Sequence, residues 1–221
     1  MTQSIRNGVG VFLLSIMVSG ADQKTVEVEA KDAEAERKWV SLAPSKEGMG
    51  PWKALNFGGE GDTTWNEGTL TIEEGAELSG VVFTGKNLPE APYELELEAR
   101  RTSGVDFFCG LTFPYKETHA TLILGGWGGS LIGISSLDDF DASENETGDA
   151  YIFEDNQWYD VRLKVTDSEF TVWIDGNSVI DCEVEGRRVG MRPGEIEMSV
   201  PLGICTFATT GVLRNIKLRK I

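Results

Sequence analysis

Residues 93–100, YELELEAR, alternate strictly between apolar and charged side chains. Successive side chains of a β-strand point to opposite faces, so this period of two predicts a strand with one buried face and one solvent-exposed face. Such a pattern is typical of an antiparallel sheet that packs on a core through one face only. The stretch therefore predicts a half-buried antiparallel strand.

Strand-like runs recur at short intervals along the rest of the chain. They lie at residues 65–72, 78–83, 105–113, 120–124, 131–134, 158–165, 170–174, 178–184, 201–207 and 212–221. Asp175-Gly176 is a strong signal for a hairpin turn, and no convincing helical period occurs between Trp39 and Ile221. About a dozen short strands joined by turns predict an all-β jelly-roll sandwich of two antiparallel sheets. We expect the final strand to return to the edge of the first sheet and tie the termini together.

The first 21 residues differ from the rest. Arg6 is their only charged residue, and residues 9–18 form an apolar run. This run is shorter than the ~20 residues that cross a bilayer, but it has the length of a signal-peptide core and small residues follow it. We therefore expect a cleaved signal peptide at residues 1–21 and a secreted or periplasmic protein; the alternative is a buried N-terminal helix or strand.

The predicted domain organisation follows from the change in composition after this leader. Residues 22–38 are charged and rich in Ala and Glu, which is typical of a linker or a short N-terminal segment. The strand pattern begins at Trp39 and continues to Ile221, so residues 39–221 form the predicted sandwich domain. No later apolar run is long enough to span a membrane.

The net charge of −16 limits the choice of partners. An acidic protein is repelled by phosphate backbones and by anionic lipid, which argues against nucleic acid. Neutral sugars, cations and basic partners remain open. The three cysteines lie in strand-like runs without C-x-x-C spacing, so we expect buried thiols, although export would permit one disulfide bridge.

The first candidates for catalysis are Glu96 and Glu98, in the charged row of residues 93–100. Side chains two residues apart lie on the same face of a strand, ~7 Å apart at the backbone. Flexible carboxyl groups at that spacing could reach the ~5–5.5 Å separation used by retaining glycosidases. The alternative is a solvated sheet face on which Arg100 pairs with Glu98.

Three further residues are candidates for substrate binding. Arg100 shares the face of Glu98 and could bind a sugar oxygen. Asp106 lies in a polar turn before an apolar strand, where a turn residue is the alternative. His119 is the only histidine and has an unperturbed pKa near neutrality; the alternative is a surface histidine, and one histidine without an acidic cluster does not predict a zinc site.

Trp127 stands between two pairs of glycines, in the sequence GGWGG at residues 125–129. Glycines offer a ring little packing, so we expect an exposed indole that could stack on a sugar. The alternative is a tryptophan that plugs the end of the sandwich. Residues 137–148 are acidic and could bind Ca²⁺ through carboxylate oxygens, or form a plain solvated loop.

The sequence resembles the 3-keto-disaccharide hydrolase family, a family-16-like glycoside hydrolase group, over residues 39–221. The resemblance lies in YELELEAR at 93–100, NQWYDVR at 156–162, FTVWIDGN at 170–177, GI at 203–204 and LRNI at 213–216. It implies a concanavalin A-like lectin/glucanase fold, bacterial export and activity on keto-sugar glycosides. In that chemistry the 3-keto group acidifies the C2 proton, so that a base can expel the glycosidic oxygen.

The resemblance also extends to particular positions. Glu98 and Arg100 match the Glu-x-Arg that ends a strand in this family. Two polar stretches of the family are replaced: its Asn-Ser-Gly is here Phe108-Cys109-Gly110, and its late Gln-x-His falls near residues 207–209, FAT. The sequence therefore predicts an exported carbohydrate-active domain, a glycoside hydrolase or lyase. The alternatives are a non-catalytic, lectin-like carbohydrate-binding module and an exported structural domain.

Overall fold

The computed structural model of the protein describes residues 38–86 and 88–221. The predicted signal peptide at residues 1–21 and all of the predicted linker except Lys38 lie outside the described residues. Within the described part, no helix has the length and apolar character needed to cross a bilayer.

The described chain is built almost entirely of β-strands, with one helical turn at Gly126–Gly129 and one 3-10 helix at Glu195–Ser199. The strands, numbered in chain order, are β1 Val40–Ser41, β2 Trp52–Ala54, β3 Thr63–Asn66, β4 Thr69–Ile72, β5 Leu78–Phe83, β6 Tyr93–Gly104, β7 Cys109–Tyr115, β8 Thr118–Gly125, β9 Leu131–Ser135, β10 Asp149–Ala150, β11 Tyr159–Val165, β12 Glu169–Ile174, β13 Asn177–Glu183, β14 Gly203–Phe207 and β15 Thr209–Lys220.

These strands form two antiparallel sheets. Sheet A has the order β13-β12-β11-β6-β15-β4-β3, with β1 paired to β15. Sheet B has the order β10-β9-β8-β7-β14-β5-β2. The inner faces of the two sheets enclose one hydrophobic cluster, and the predicted all-β sandwich of two antiparallel sheets is confirmed.

Strand β6 shows why the alternating stretch adopts this fold. Tyr93, Leu95, Leu97 and Ala99 are buried in the core, at 0–3% exposure. Across the sandwich, Phe113 of β7 meets Phe170 of β12 edge-to-face, with ring centroids 5.3 Å apart. Burial of such side chains contributes about 1.5–3 kcal/mol each, which fixes the register of β6, because a slip by one residue would bury its charged row.

The last strand of the domain lies inside sheet A rather than at its edge. Strand β15 pairs with β6 on one side and with β4 on the other. The two-residue strand β1 pairs with β15 through Val40 and Leu218, so the start and end of the described domain are adjacent as expected. The central position of β15 brings its basic residues beside the glutamates of β6.

Two tight turns set the pairing of the strands that they connect, β3 with β4 and β12 with β13. Residues 65–72 were expected to form one strand, but Glu67 and Gly68 both have positive φ values and separate β3 from β4. Asp175 and Gly176, with φ values of 51° and 77°, join β12 to β13 as predicted. Two central residues with positive φ are the requirement of a type I′ hairpin.

All three cysteines are free and buried, so no disulfide bridge forms. Burial raises the pKa of Cys109 and of Cys205 to about 12. A thiol that stays protonated at neutral pH is a poor nucleophile, which removes both residues from the set of reactive groups.

Candidate functional site

The glutamate row of β6 lies on the outer face of sheet A, and each of its side chains is bound by a cation from β15. The pairs are Glu94 with Arg219 at 2.5 Å, Glu96 with Lys217 at 2.7 Å and Glu98 with Arg214 at 2.5 Å. The ladder register of β6 and β15 places these residues directly opposite each other. The row is therefore a set of cross-strand ion pairs.

Glu98 has additional contacts. Asn215, at a bulge in β15 with φ 54°, donates a hydrogen bond to its second carboxylate oxygen. Partial burial would raise the pKa of Glu98, but the hydrogen bonds from Arg214 and Asn215 outweigh that effect, and the pKa is lowered. Glu98 is therefore an ionised carboxylate at neutral pH that accepts hydrogen bonds, and its lowered pKa makes it a weaker base than a free glutamate.

Arg100 does not pair with Glu98. Its guanidinium stacks on the ring of Trp158 at 4.6 Å, and Arg214 stacks on the same ring at 4.1 Å. Its Nε atom is buried without a hydrogen-bond partner among the described residues. Arg100 thus packs against an aromatic ring and makes no hydrogen bond or ion pair with either predicted catalytic glutamate.

A groove of about 640 Å³ runs over the outer face of sheet A. Trp39 lies at one side and Trp173 at the other, and Glu96 and Glu98 form part of the floor between them. We call this the sheet groove. The remaining polar side chains that line it are Ser41, Asp160, Arg162, Asn215 and Lys217.

A second, smaller cavity of about 270 Å³ lies where β5, β14 and the start of β7 meet at one end of sheet B. We call it the aromatic cleft. Its lining is mainly apolar and comes from Leu78, Phe107, Trp127, Pro193, Ile196 and Phe207, with Asp106, Arg192 and Glu195 as its charged groups. The structure therefore brings Asp106 and Trp127 together, as two of the predicted site residues.

The helical turn Gly126–Gly129 presents Trp127 to this cleft. Trp127 is 44% exposed and has a left-handed backbone with φ 49° and ψ 53°. A residue with a side chain in this conformation is strained by about 1–2 kcal/mol. Such strain persists only where the surroundings enforce it, and it is concentrated at functional sites.

Two side chains enforce the turn. The Asp106 carboxylate accepts hydrogen bonds from the backbone N–H of Phe107 at 2.8 Å and of Gly128 at 3.2 Å. The Arg101 guanidinium donates to the backbone carbonyl of Gly129 at 3.2 Å. Asp106 is thus a turn residue that positions Trp127 and also borders the cleft.

Phe107 and Phe207 line the same cleft, with ring centroids 6.0 Å apart. The backbone N–H of Phe207 donates to the carbonyl of Phe107 at 3.0 Å, and Cys205 lies opposite Gly110 in the ladder of β14 and β7. The two stretches that depart from the family pattern are therefore neighbours in space. The rings of Phe107 and Phe207 lie where these two stretches come together.

His119 lies outside both cavities, since neither lining includes it. It is the second residue of β8, whereas Trp127 follows the end of that strand. At ~3.3 Å per residue the two are separated by ~20 Å of strand. Partial burial lowers the pKa of His119, so the side chain is neutral at pH 7.

The acidic loop at residues 137–148 binds arginine side chains of this chain. Arg187 pairs with Asp138 at 2.8 Å and also with Glu146, and Arg192 pairs with Asp141 at 2.7 Å. In the described part of the chain, no group of three or more His, Cys, Asp or Glu side chains converges on a point that could hold a metal ion. The calcium site considered from sequence does not match this arrangement, because cations of the protein occupy the carboxylates.

Sequence reasoning missed most of the lining of both cavities. Phe107, Phe207 and Arg192 are distant in sequence and meet only through sheet B and the loop before the 3-10 helix. Trp173 and Arg162 belong to adjacent strands, and the register of β11 with β12 places them opposite each other. A signal for this second pair was present in the alternation of NQWYDVR and FTVWIDGN.

Comparison with known proteins agrees with this fold. The family model of the 3-keto-alpha-glucoside-1,2-lyase-like domain matches residues 38–219. No curated protein sequence matches the chain.

Several solved structures share the architecture at low sequence identity. The carbohydrate-binding module CBM66 from Bacillus subtilis is 14% identical, with a TM-score of 0.53 over 77% of this chain and 96% of that one. A protein from work on endo-acting O-glycanases of human gut bacteria is 12% identical, with a TM-score of 0.52 over 83% and 98%. A Crh5 transglycosylase is 8% identical, with a TM-score of 0.54 over 84% of each chain. These likenesses establish the fold.

Proposed function

The chain belongs to the 3-keto-alpha-glucoside-1,2-lyase-like domain family, and on that premise we propose that it binds a carbohydrate in the aromatic cleft beside Trp127. The fold itself does not separate catalysis from binding, because sandwiches of this kind include both a carbohydrate-binding module and a transglycosylase. The choice rests on the chemistry of the cleft.

The observation that carries the proposal is the strained, exposed conformation of Trp127. The protein holds this turn in place with a hydrogen bond from the Gly128 N–H to Asp106 and one from Arg101 to the Gly129 carbonyl, although an ordinary turn would cost less. An indole presented in this way offers its apolar face to the C–H face of a sugar ring. At about 270 Å³, the cleft is at the small end of ligand pockets and suits one terminal sugar unit.

The neighbouring groups favour binding over elimination at this cleft. Phe207 lies in one of the two stretches that depart from the family's polar residues, and Phe107 immediately precedes the other, Phe108-Cys109-Gly110. Aromatic rings cannot accept the C2 proton that keto-assisted elimination must remove. The rings of Phe107 and Phe207 add apolar surface for a sugar, so the departure at Phe207 that weakens a catalytic role strengthens a binding role.

A second candidate function is the family's own chemistry, with Glu98 as the base. Glu98 is ionised, lines the sheet groove and is fixed by Arg214 and Asn215. A carboxylate of this kind could accept the C2 proton of a 3-keto sugar, and Glu96 would be its partner in a retaining hydrolysis. Both glutamates are already bound by Arg214 and Lys217. A carboxylate in an ion pair is less available to accept a proton or attack a sugar, so we rank this function second.

The proposal is tested by measuring glycan binding. The purified full chain would be applied to an array of neutral oligosaccharides, and the dissociation constant of the best ligand measured by calorimetry. We expect Trp127→Ala to weaken binding by about 5–30-fold, a loss of ~1–2 kcal/mol, with a nearly unchanged Tm. Phe140→Ala removes another exposed aromatic outside the cleft and should have no effect. Equal affinity of Trp127→Ala and wild type would refute the cleft as the binding site, and a large fall in Tm would mark Trp127 as a core residue.

A further inference from the structure

Two charged side chains in the lining of the sheet groove lie outside the ion-pair network of sheet A. Each glutamate of β6 is bound by a cation from β15. The guanidinium of Arg162 and the carboxylate of Asp160, both on β11, have no hydrogen bond or ion pair with any other residue in the part of the chain that the structure describes. Both side chains line the sheet groove.

The register explains why Arg162 remains unpaired. It lies directly opposite Glu96 in the ladder of β11 and β6, but Lys217 binds Glu96 from the other side at 2.7 Å. Arg162 instead stacks on Trp173, with its Cζ 4.1 Å from the ring centroid. Its N–H donors are thus held flat on an aromatic ring at the side of the groove.

Asp160 is the matching acceptor. It lies opposite Glu98, and like charges in directly opposed positions destabilise a sheet. Its backbone N–H donates to the Asp175 carboxylate at 2.8 Å and its carbonyl accepts from the N–H of Asp175 at 2.9 Å. These bonds fix the 175–176 turn, so that Gly176 forms part of the groove wall. The carboxylate of Asp160 is therefore well positioned but accepts from no donor among the described residues.

The groove is also long enough for more than one sugar ring. From β12, which carries Trp173, the strands run through β11 and β6 to β15, where the ring of Trp39 lies over Lys217 and Arg219, 4.9 and 4.5 Å from its centroid. Three steps of ~4.8 Å separate the two flanks by ~14 Å. A donor and an acceptor two residues apart on β11 lie between them, with a tryptophan ring at either side.

We propose that the sheet groove is a second carbohydrate site, which binds a neutral oligosaccharide chain through Trp39, Trp173, Arg162 and Asp160. Arg162 donates to sugar oxygens, and Asp160 accepts from hydroxyl groups, which also relieves its repulsion with Glu98. The free charges of Arg162 and Asp160 cancel, which favours a neutral chain over a uronate or a sulfated one. This site lies on the opposite sheet from the aromatic cleft and does not depend on it.

The test uses the indole N–H signals of the six tryptophans in the NMR spectrum of the full chain. Linear oligosaccharides of glucose, xylose and mannose are the neutral probes, and oligogalacturonate is the anionic probe. We expect at least one neutral probe to shift the signals of Trp39 and Trp173. Arg162→Gln and Asp160→Asn should each weaken that binding about tenfold, the effect of one lost charge-assisted hydrogen bond. Lys164→Gln removes a charge from the same strand face outside the groove and should leave the affinity unchanged.

The outcomes separate this site from the aromatic cleft. Shifts of Trp39 and Trp173 that persist in Trp127→Ala support the second site, even if Trp127 itself never responds. Shifts confined to Trp127 overturn the second site and leave the proposed function intact. Signals of Trp39 and Trp173 that move only with oligogalacturonate, or that move with a neutral probe equally well in Arg162→Gln, also overturn it.

Discussion

Arg101 donates a hydrogen bond from Nη1 to the backbone carbonyl of Gly129 at 3.2 Å, at the end of the turn that presents Trp127. The same guanidinium donates to Asp155 at 2.6 Å and to the carbonyl of Phe153 at 2.8 Å. Only 11% of the Arg101 side chain is exposed. In addition to the bond from Gly128 to Asp106, a largely buried arginine therefore joins the end of the turn to the segment at residues 153–155.

Substitution of Gly129 tests this anchor. A Cβ atom at Gly129 would lie 2.6 Å from Arg101 Nη1, and the residue has φ +94°. Gly128 has a similar φ of +90° but open space around it, so Gly128→Ala is a matched control for the backbone strain alone. We expect Gly129→Ala to destabilise the protein by ~1–3 kcal/mol more than Gly128→Ala, because Arg101 loses hydrogen bonds while partly buried. Denaturant unfolding measures this difference, and equal stabilities of the two variants would contradict the anchoring role.

Glu98→Gln tests the lyase candidate. The change keeps the shape of the side chain but removes the charge, so activity should fall at least ~100-fold if Glu98 is the base. The assay compares 3-keto and ordinary disaccharides with the purified protein. Full turnover by Glu98→Gln would remove Glu98 from the mechanism, and no turnover of either sugar by wild type would favour the binding function.

The lowered pKa of Glu98 predicts a dependence of stability on pH. A carboxyl group whose folded pKa lies below its ordinary value stabilises the fold above that value, and this contribution is lost as the pH falls through the folded pKa. We expect the difference in Tm between wild type and Glu98→Gln to be constant near neutrality and to shrink once the pH falls below about 4.5, the ordinary value. Glu117→Gln, an exposed change at the tip between β7 and β8, is the control. A Tm difference that is independent of pH would contradict this account of the Arg214 and Asn215 contacts.

The exported protein should begin at Ala21 or Asp22. The apolar run at residues 9–18 and the small residues after it are the basis for this expectation. N-terminal sequencing or intact mass of material recovered from the periplasm or medium measures the cleavage point. Recovery of exported protein that still carries Met1 would show that the leader is not cleaved.

The sequence by itself determined the fold class. The alternation of residues 93–100 dictated which side chains of β6 enter the core, because the period of a strand leaves no other choice once one face is buried. The turn residues Asp175 and Gly176 likewise specified the hairpin of β12 and β13, since both need positive φ. The family resemblance followed from the same strands. Strand alternation and turn type depend on residues that are close in sequence, so a short stretch of sequence is enough to predict them.

Only the tertiary structure decided which residues share a site. The same alternation placed Glu96 and Glu98 on an outer face but could not reveal that β15, more than a hundred residues later, supplies Lys217 and Arg214 to bind them. It could not show that Phe207 would meet Phe107 beside Trp127, or that no carboxylate in the described part of the chain would pair with Arg162. Pairing between strands distant in the chain depends on the order of strands in the sheet. That order is set by burial summed over the whole core, so a short stretch of sequence does not contain it.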